Sequence, residues 1–182
     1  MTAVIPHVAH LYSLLICYGD VVDGIQLVYI LQDNGTFIPS PHGKISNKCS
    51  KDSNMSKIVF KEGERLVHIE GLIQKTWYFI SQLTLFTSIG GPPKLRGGPF
   101  GGGSTSDIQF SLTGDIRGIF GRTGDALDAL GFYVNTTVPL SSYQKTNLIG
   151  GKGGIDFDDF DFFAKMRNLS RLQIWSLAMV YT

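Results

Sequence analysis

The sequence predicts an all-β chain, and three observations predict it. Short apolar runs alternate with turn signals from Leu11 to Val134, no segment sustains a helical period with caps, and glycine is abundant, at 22 of 182 residues, as many tight turns require. The hydrophobic share of 43% fits a folded globular chain, and the length suits one domain with a sizeable core plus a remainder.

The elements follow in order. Leu11 to Cys17 is an apolar run that reads as a strand. It can be mistaken for a signal-peptide core, but no Lys or Arg precedes it and no small-residue cleavage site follows before Tyr18-Gly19-Asp20. Ile25 to Leu31 reads as a strand closed by Asp33-Asn34-Gly35, and Leu66 to Ile69 as one closed by Gly71. Leu83 and Leu85 alternate with polar neighbours before Gly90-Gly91-Pro92-Pro93. The stretch from Gly90 to Ser106 is dense in Gly and Pro. It lacks the G-K-[ST] ending and the following helix of a phosphate-cradling loop, so it reads as a long hairpin connection. Ala129 to Val134 alternates as a strand, and Asn135 to Leu148 is polar, with Pro139 and Ser141-Ser142, as a linker is. A second glycine-rich opening then begins at Gly150, with about thirty residues after it, too few to bury a core of their own.

Composition excludes several functions. Charged residues make up 17% and the net charge is +1, so the basic footprint of a nucleic-acid binder is missing. No run reaches the ~20 apolar residues of a membrane helix. Two cysteines, Cys17 and Cys49, make neither a disulfide scaffold nor a zinc pairing. Cys17 reads as a small buried residue, and nothing in the sequence supports a bridge between the two. N-x-S/T sequons start at Asn34, Asn54, Asn135 and Asn168; without a signal segment they read as chance, and the expected compartment is cytoplasmic. His7 and His10 have H-x-x-H spacing but no third ligand nearby, so no metal and no cofactor is expected. Asp20 and Asp23 lie three apart on a strand and face opposite sides, which argues against a shared acid/base role; Asp23 is expected to fix a turn. His42 and His68 read as ordinary surface or strand residues, and Trp77 and Tyr78 as core or loop packing rather than the rim of a site. No nucleophile–base set is visible, so no enzyme is expected.

The stretch Gly121-Arg122-Thr123-Gly124-Asp125-Ala126-Leu127-Asp128 carries the chemistry. Gly124 can adopt backbone angles closed to other residues and turn the chain sharply. The amides of Asp125 and Ala126 and the Asp128 carboxylate can then converge on one point, as neighbouring hydroxyls of a polyol require. Taken alone, a glycine–acid turn is common.

Around that turn stand further motifs: Tyr18-Gly19-Asp20-Val21-Val22-Asp23-Gly24 and the strand after it, Lys57 to Gly71, Ile80 to Thr87, Gly97-Gly98-Pro99-Phe100-Gly101, and Gly150-Gly151-Lys152-Gly153-Gly154 with Phe157-Asp158-Asp159. In this order and spacing the chain resembles the jacalin-related plant lectins over nearly its whole length. The resemblance implies a β-prism I: three four-stranded antiparallel Greek-key sheets around a pseudo-threefold axis. It also implies non-catalytic carbohydrate binding and a place in plant defence. The galactose-preferring branch relies on a processed chain with a free N-terminal glycine, which this sequence does not show, so mannose- or glucose-type sugars are expected. The sugar would lie between the G-D-x-x-D loop, here Gly124, Asp125, Ala126, Leu127 and Asp128, and the last glycine of the G-G-x-G-G loop, here Gly154. Asp128 would accept from two hydroxyls, the Asp125 and Ala126 amides would donate, and the Gly154 amide would reach a further hydroxyl. Phe157 would pack inward while Asp158 and Asp159 bond local backbone at a turn. Phe160 stands where the family often has glycine, followed by Asp161-Phe162-Phe163.

The chain departs from the family pattern in one respect: its glycine-rich opening is displaced to the C-terminal end. Residues 1–134 then form a lectin domain without its usual opening strand, 135–149 a linker, and 150–182 the opening of a partial second repeat. Residues 135–148 can span up to ~46 Å, so the opening can fold back to complete the prism. An unfilled strand position would leave unpaired backbone groups, and a second copy can also fill it, giving a strand-swapped homodimer. Leu169 to Trp175 resembles a second copy of Leu11 to Cys17 and is expected to be surplus and aggregation-prone. The alternative function is a protein-interaction or regulatory prism that has lost sugar binding.

Overall fold

The computed structural model describes residues 10–30, 37–43, 45, 49, 54–135 and 143–160. Its strands are β1 (His10–Tyr18), β2 (Val22–Ile30), β3 (Phe37–Gly43), β4 (Asn54–Val59), β5 (Arg65–Ile73), β6 (Ile80–Ser88), β7 (Lys94–Phe100), β8 (Ile108–Thr123), β9 (Leu127–Asn135), β10 (Tyr143–Lys145), β11 (Ile149–Gly150) and β12 (Ile155–Asp158). All pairings are antiparallel.

The first sheet has the order β3-β2-β1-β4. The rest runs as one ladder, β10-β9-β8-β5-β6-β7, with β11 on β9 and β12 on β8. The 16-residue strand β8 turns this ladder into two faces. Ile108 to Thr113 pair with β5, whereas Asp115 to Thr123 pair with β9, and both registers shift around Ile116. The second sheet is therefore β8-β5-β6-β7, and the third is β12-β8-β9 with β10 and β11 end to end on its far edge. In each sheet three consecutive strands lie side by side and a fourth returns beside the first, which is the Greek key. This is the β-prism I arrangement.

The sheets are built alike down to their registers. The residue before the first turn pairs with the start of the fourth strand in each: Tyr18 with Asn54, Ile73 with Ile108, and Thr123 with Ile155. Gly43 pairs with Gly24 in the first sheet as Gly150 pairs with Ala129 in the third. Strands β11 and β12 thus stand where the architecture needs a third and a fourth strand.

The core is where the inward faces meet. Leu14, Ile16, Leu27 and Tyr29 come from the first sheet, Leu66, Ile69, Leu83 and Leu85 from the second, and Ile119, Leu127, Leu130 and Phe132 from the third. Alternation with period 2 makes this possible: along β6, residues 81, 83, 85 and 87 are buried while 82, 84, 86 and 88 are less so. Each fully buried Leu or Ile contributes roughly 1.5–3 kcal/mol relative to exposure.

Four expectations are corrected. Gly71 does not end β5, which runs on to Ile73; the ring of its partner Phe110 occupies the space a side chain would need. The glycine- and proline-rich stretch after Gly90 is not only a connection, because Lys94 to Phe100 pair with β6 as β7. The stretch read as linker contains β10, paired with β9. Cys17 is not a free thiol but is joined to Cys49 across 32 residues, with a Cα–Cα distance of 5.5 Å. His7, Asn34, Asn168, Asp161 to Phe163 and Leu169 to Trp175 lie outside the described residues, as does the side chain of His10. Among the described residues no helix is long and apolar enough to cross a membrane.

Candidate functional site

The turn from β8 to β9 closes on itself. The Gly124 amide donates to the Ala126 carbonyl at 3.0 Å, and the Thr123 hydroxyl donates to the same oxygen at 3.3 Å. This brings Asp128, the second residue of β9, to the end of the prism, with its side chain under the turn. A carboxylate there would ordinarily be solvated, yet Asp128 is only 6% exposed.

The cover comes from the glycine loop between β11 and β12. The Gly151 amide donates to the Asp128 carbonyl at 2.8 Å. Arg122 grips the loop from the other side, donating from Nε to the Gly153 carbonyl at 2.6 Å and from Nη2 to the Gly154 carbonyl at 3.1 Å. The same guanidinium pairs with Asp156 at 2.9 Å. The fit requires glycine. A Cβ on Gly153 would stand 2.5 Å from Asp128 Oδ1, and one on Gly154 would stand 2.5 Å from Oδ2 and 2.6 Å from the Thr123 carbonyl. Gly154 also has φ +70°, which other residues rarely adopt.

Among the described residues, Asp128 Oδ2 is buried and has no hydrogen-bond partner. A buried acceptor left unpaired costs free energy, so native structures seldom keep one without a use for it. Burial pushes the Asp128 carboxyl above the usual aspartate range; the Arg122 charge and the nearby Gly124 amide only partly offset it. The site therefore holds a desolvated, unpaired carboxylate oxygen under the glycine loop and close to the Gly124 amide, and a hydroxyl donor admitted there would satisfy it.

Gly124, Asp125, Ala126, Asp128 and Gly154, separated by up to thirty positions in sequence, stand together at one end of the prism. Gly124 is not in a left-handed conformation; what its missing side chain leaves is room, with Gly154 Cα 3.5 Å from where a Cβ would lie. Arg122 and Gly153 belong to the same constellation and were missed by motif reading, because their part is played through the opposite loop. Trp77 and Tyr78 are not core residues. They are 67% and 51% exposed in the β5–β6 turn, and a Cβ on the neighbouring Gly151 would meet Tyr78 at 3.2 Å. His42 is a strand residue, on β3, but a buried one, and it meets Asp159, which bonds far from its local backbone. Asp158 does bond local backbone, at the Phe160 amide, and also takes Tyr133 and Lys145.

Comparison with known proteins gives one consistent picture. The model of the jacalin-like lectin domain matches residues 5–133, stopping short of the glycine loop. Jacalin-related lectin 9 of Arabidopsis thaliana is 29% identical over 144 residues, 76% of this chain; the match spans 41% of that protein, so the chain covers less than half of the relative's length. Among solved structures, wild-type Malaysian banana lectin superposes with a TM-score of 0.56 at 25% identity, over 77% of this chain and 86% of its own. The mannose-binding lectin from champedak superposes with a TM-score of 0.52 at 25% identity, over 69% of this chain and 83% of its own.

Proposed function

Because the chain belongs to the jacalin-like lectin domain family, we propose that it binds carbohydrate without catalysis and takes mannose- or glucose-type sugars at the Asp128 site. The observation that carries this reading is the buried, unpartnered Oδ2 of Asp128 facing the glycine loop. Two neighbouring sugar hydroxyls donate to the Asp128 carboxylate, making charge-assisted bonds that are among the stronger contacts available. The amides of Asp125 and Ala126 donate to ring and hydroxyl oxygens, and the Gly154 amide reaches one more hydroxyl. The exposed rings of Trp77 and Tyr78 offer an apolar surface beside the loop for the face of a sugar. The preference for mannose is supported by the champedak relative, whose name carries that sugar.

The groups offered are few, one carboxylate and three backbone amides, so monovalent affinity is expected around the millimolar range. Strong retention then requires multivalent glycans or more than one copy of the site. The test is retention on immobilised mannose with elution by methyl-mannoside, beside Asp128→Ala and Gly154→Trp. Wild type should be retained and both variants should pass through. A folded wild-type protein that is neither retained nor retarded on mannose or glucose and shows no binding of free methyl-mannoside by titration would sink the proposal and favour a protein-interaction prism.

A further inference from the structure

We infer that Asp159 is a positioning residue for the sugar site: it bolts β12 between two sheets and so holds Gly153 and Gly154 against Asp128. The inference rests on the carbohydrate-binding reading of that site. Strand β12 has only four residues, Ile155 is 78% exposed, and among the described residues its one ladder is with β8. A strand this short and exposed is poorly held by its own burial, yet the glycines before it sit so close to the Asp128 carboxylate that neither has room for a Cβ.

The residue that follows it is fully buried. Asp159 is 0% exposed. Its Oδ2 accepts from the Tyr29 hydroxyl at 2.9 Å and faces the Ile119 amide at 3.4 Å. Its Oδ1 accepts from the Ser40 hydroxyl and lies 2.6 Å from His42 Nε2. Tyr29, Ser40 and His42 belong to β2 and β3 of the first sheet, and Ile119 to β8 of the third. One carboxylate therefore joins two faces of the prism, while the Asp159 amide extends the β12 ladder by donating to the Ile119 carbonyl at 3.0 Å. Two residues earlier, the Phe157 ring stacks on His42 at 3.9 Å and fills the space left by Gly121.

Together these contacts pin the register. A one-residue slip of β12 would turn Asp159 away from its partners and carry Gly154 about 3.3 Å along the strand. The contact with Asp128 Oδ2 would not survive such a move. A buried carboxylate stripped of its donors is costly, so the network opposes the slip.

Asp159→Ala and Asp159→Asn test this with two readouts, methyl-mannoside affinity and amide hydrogen exchange resolved along the chain. Asp159→Ala should lose at least tenfold in affinity, with faster exchange at Ile155 to Asp158 and wild-type exchange in β5 and β6. Asp159→Asn, which keeps an acceptor, should fall between. Wild-type affinity and wild-type exchange in Asp159→Ala would overturn the inference. So would loosening of β5 and β6 to the same degree as β12 in the milder Asp159→Asn, since that marks a general structural role. If wild type binds no sugar, the carbohydrate reading fails by itself. The exchange pattern then still decides the latch: loosening confined to β12 supports it, and an unchanged β12 refutes it.

Discussion

Asp128 sets stability against function within one side chain. Its carboxyl is held above the ordinary aspartate value of about 3.9, mainly by burial. A pKa raised on folding means that the folded state favours the protonated acid. The group's favourable contribution is therefore present below the unfolded pKa and lost as pH rises through the folded one. At neutral pH the ionised Asp128 burdens the fold, and Asp128→Asn should leave the melting temperature equal or higher while lowering sugar affinity at least tenfold, measured by thermal melts and titration calorimetry. Affinity in wild type should also decline on acidification while the pH is still above 3.9, because a protonated acid loses acceptor capacity. The carboxylate and its turn were legible because G-D-x-x-D is contiguous. Arg122 was not, since its value depends on carbonyls some thirty positions away.

Strands were legible where one face is buried and alternation follows, as in β6. They were not where packing overrides local preference. Gly71 lies inside β5 because a ring from the adjacent strand covers it, and β7 exists despite Gly97, Gly98 and Pro99 within it because β6 supplies its ladder. The turn between β4 and β5 shows how such an edge is secured. Glu64 accepts from the Lys61 amide at 2.8 Å, the Thr87 hydroxyl at 2.6 Å and Arg96 Nε at 2.9 Å, so it ties β6 and β7 to the turn. Burial alone would raise its pKa, but these donors outweigh burial and hold it below the ordinary glutamate range. A depressed pKa contributes stability above the unfolded value and loses it as pH falls through the folded one. Glu64→Gln should therefore cost about 1–3 kcal/mol at neutral pH, with the gap to wild type closing on acidification below about 4.3, read from urea unfolding.

At the scale of the molecule, three Greek-key sheets share one core, so equilibrium unfolding should be a single cooperative transition. The Cys17–Cys49 bridge closes a 32-residue separation within the first sheet and its long connection. Cys17→Ser should lower stability by about 3–4 kcal/mol in a chain-entropy account, and reduction of wild type should produce the same shift in urea midpoint. Two cysteines in an otherwise ordinary composition did not announce this bond, because only the approach of β1 to the segment after β3 brings them together. The third sheet carries the largest consequence. Its core strands β8 and β9 hold one half of the candidate site, while β11 and β12, paired on β9 and β8, bring the other half. Sheet ladders need proximity, not continuity of the main chain. A protease site placed between residues 136 and 142 and then cut should leave a two-piece protein that co-migrates on gel filtration and still retains sugar. In that sense the C-terminal piece acts as a built-in ligand of the rest, supplied at the high effective concentration of a tether.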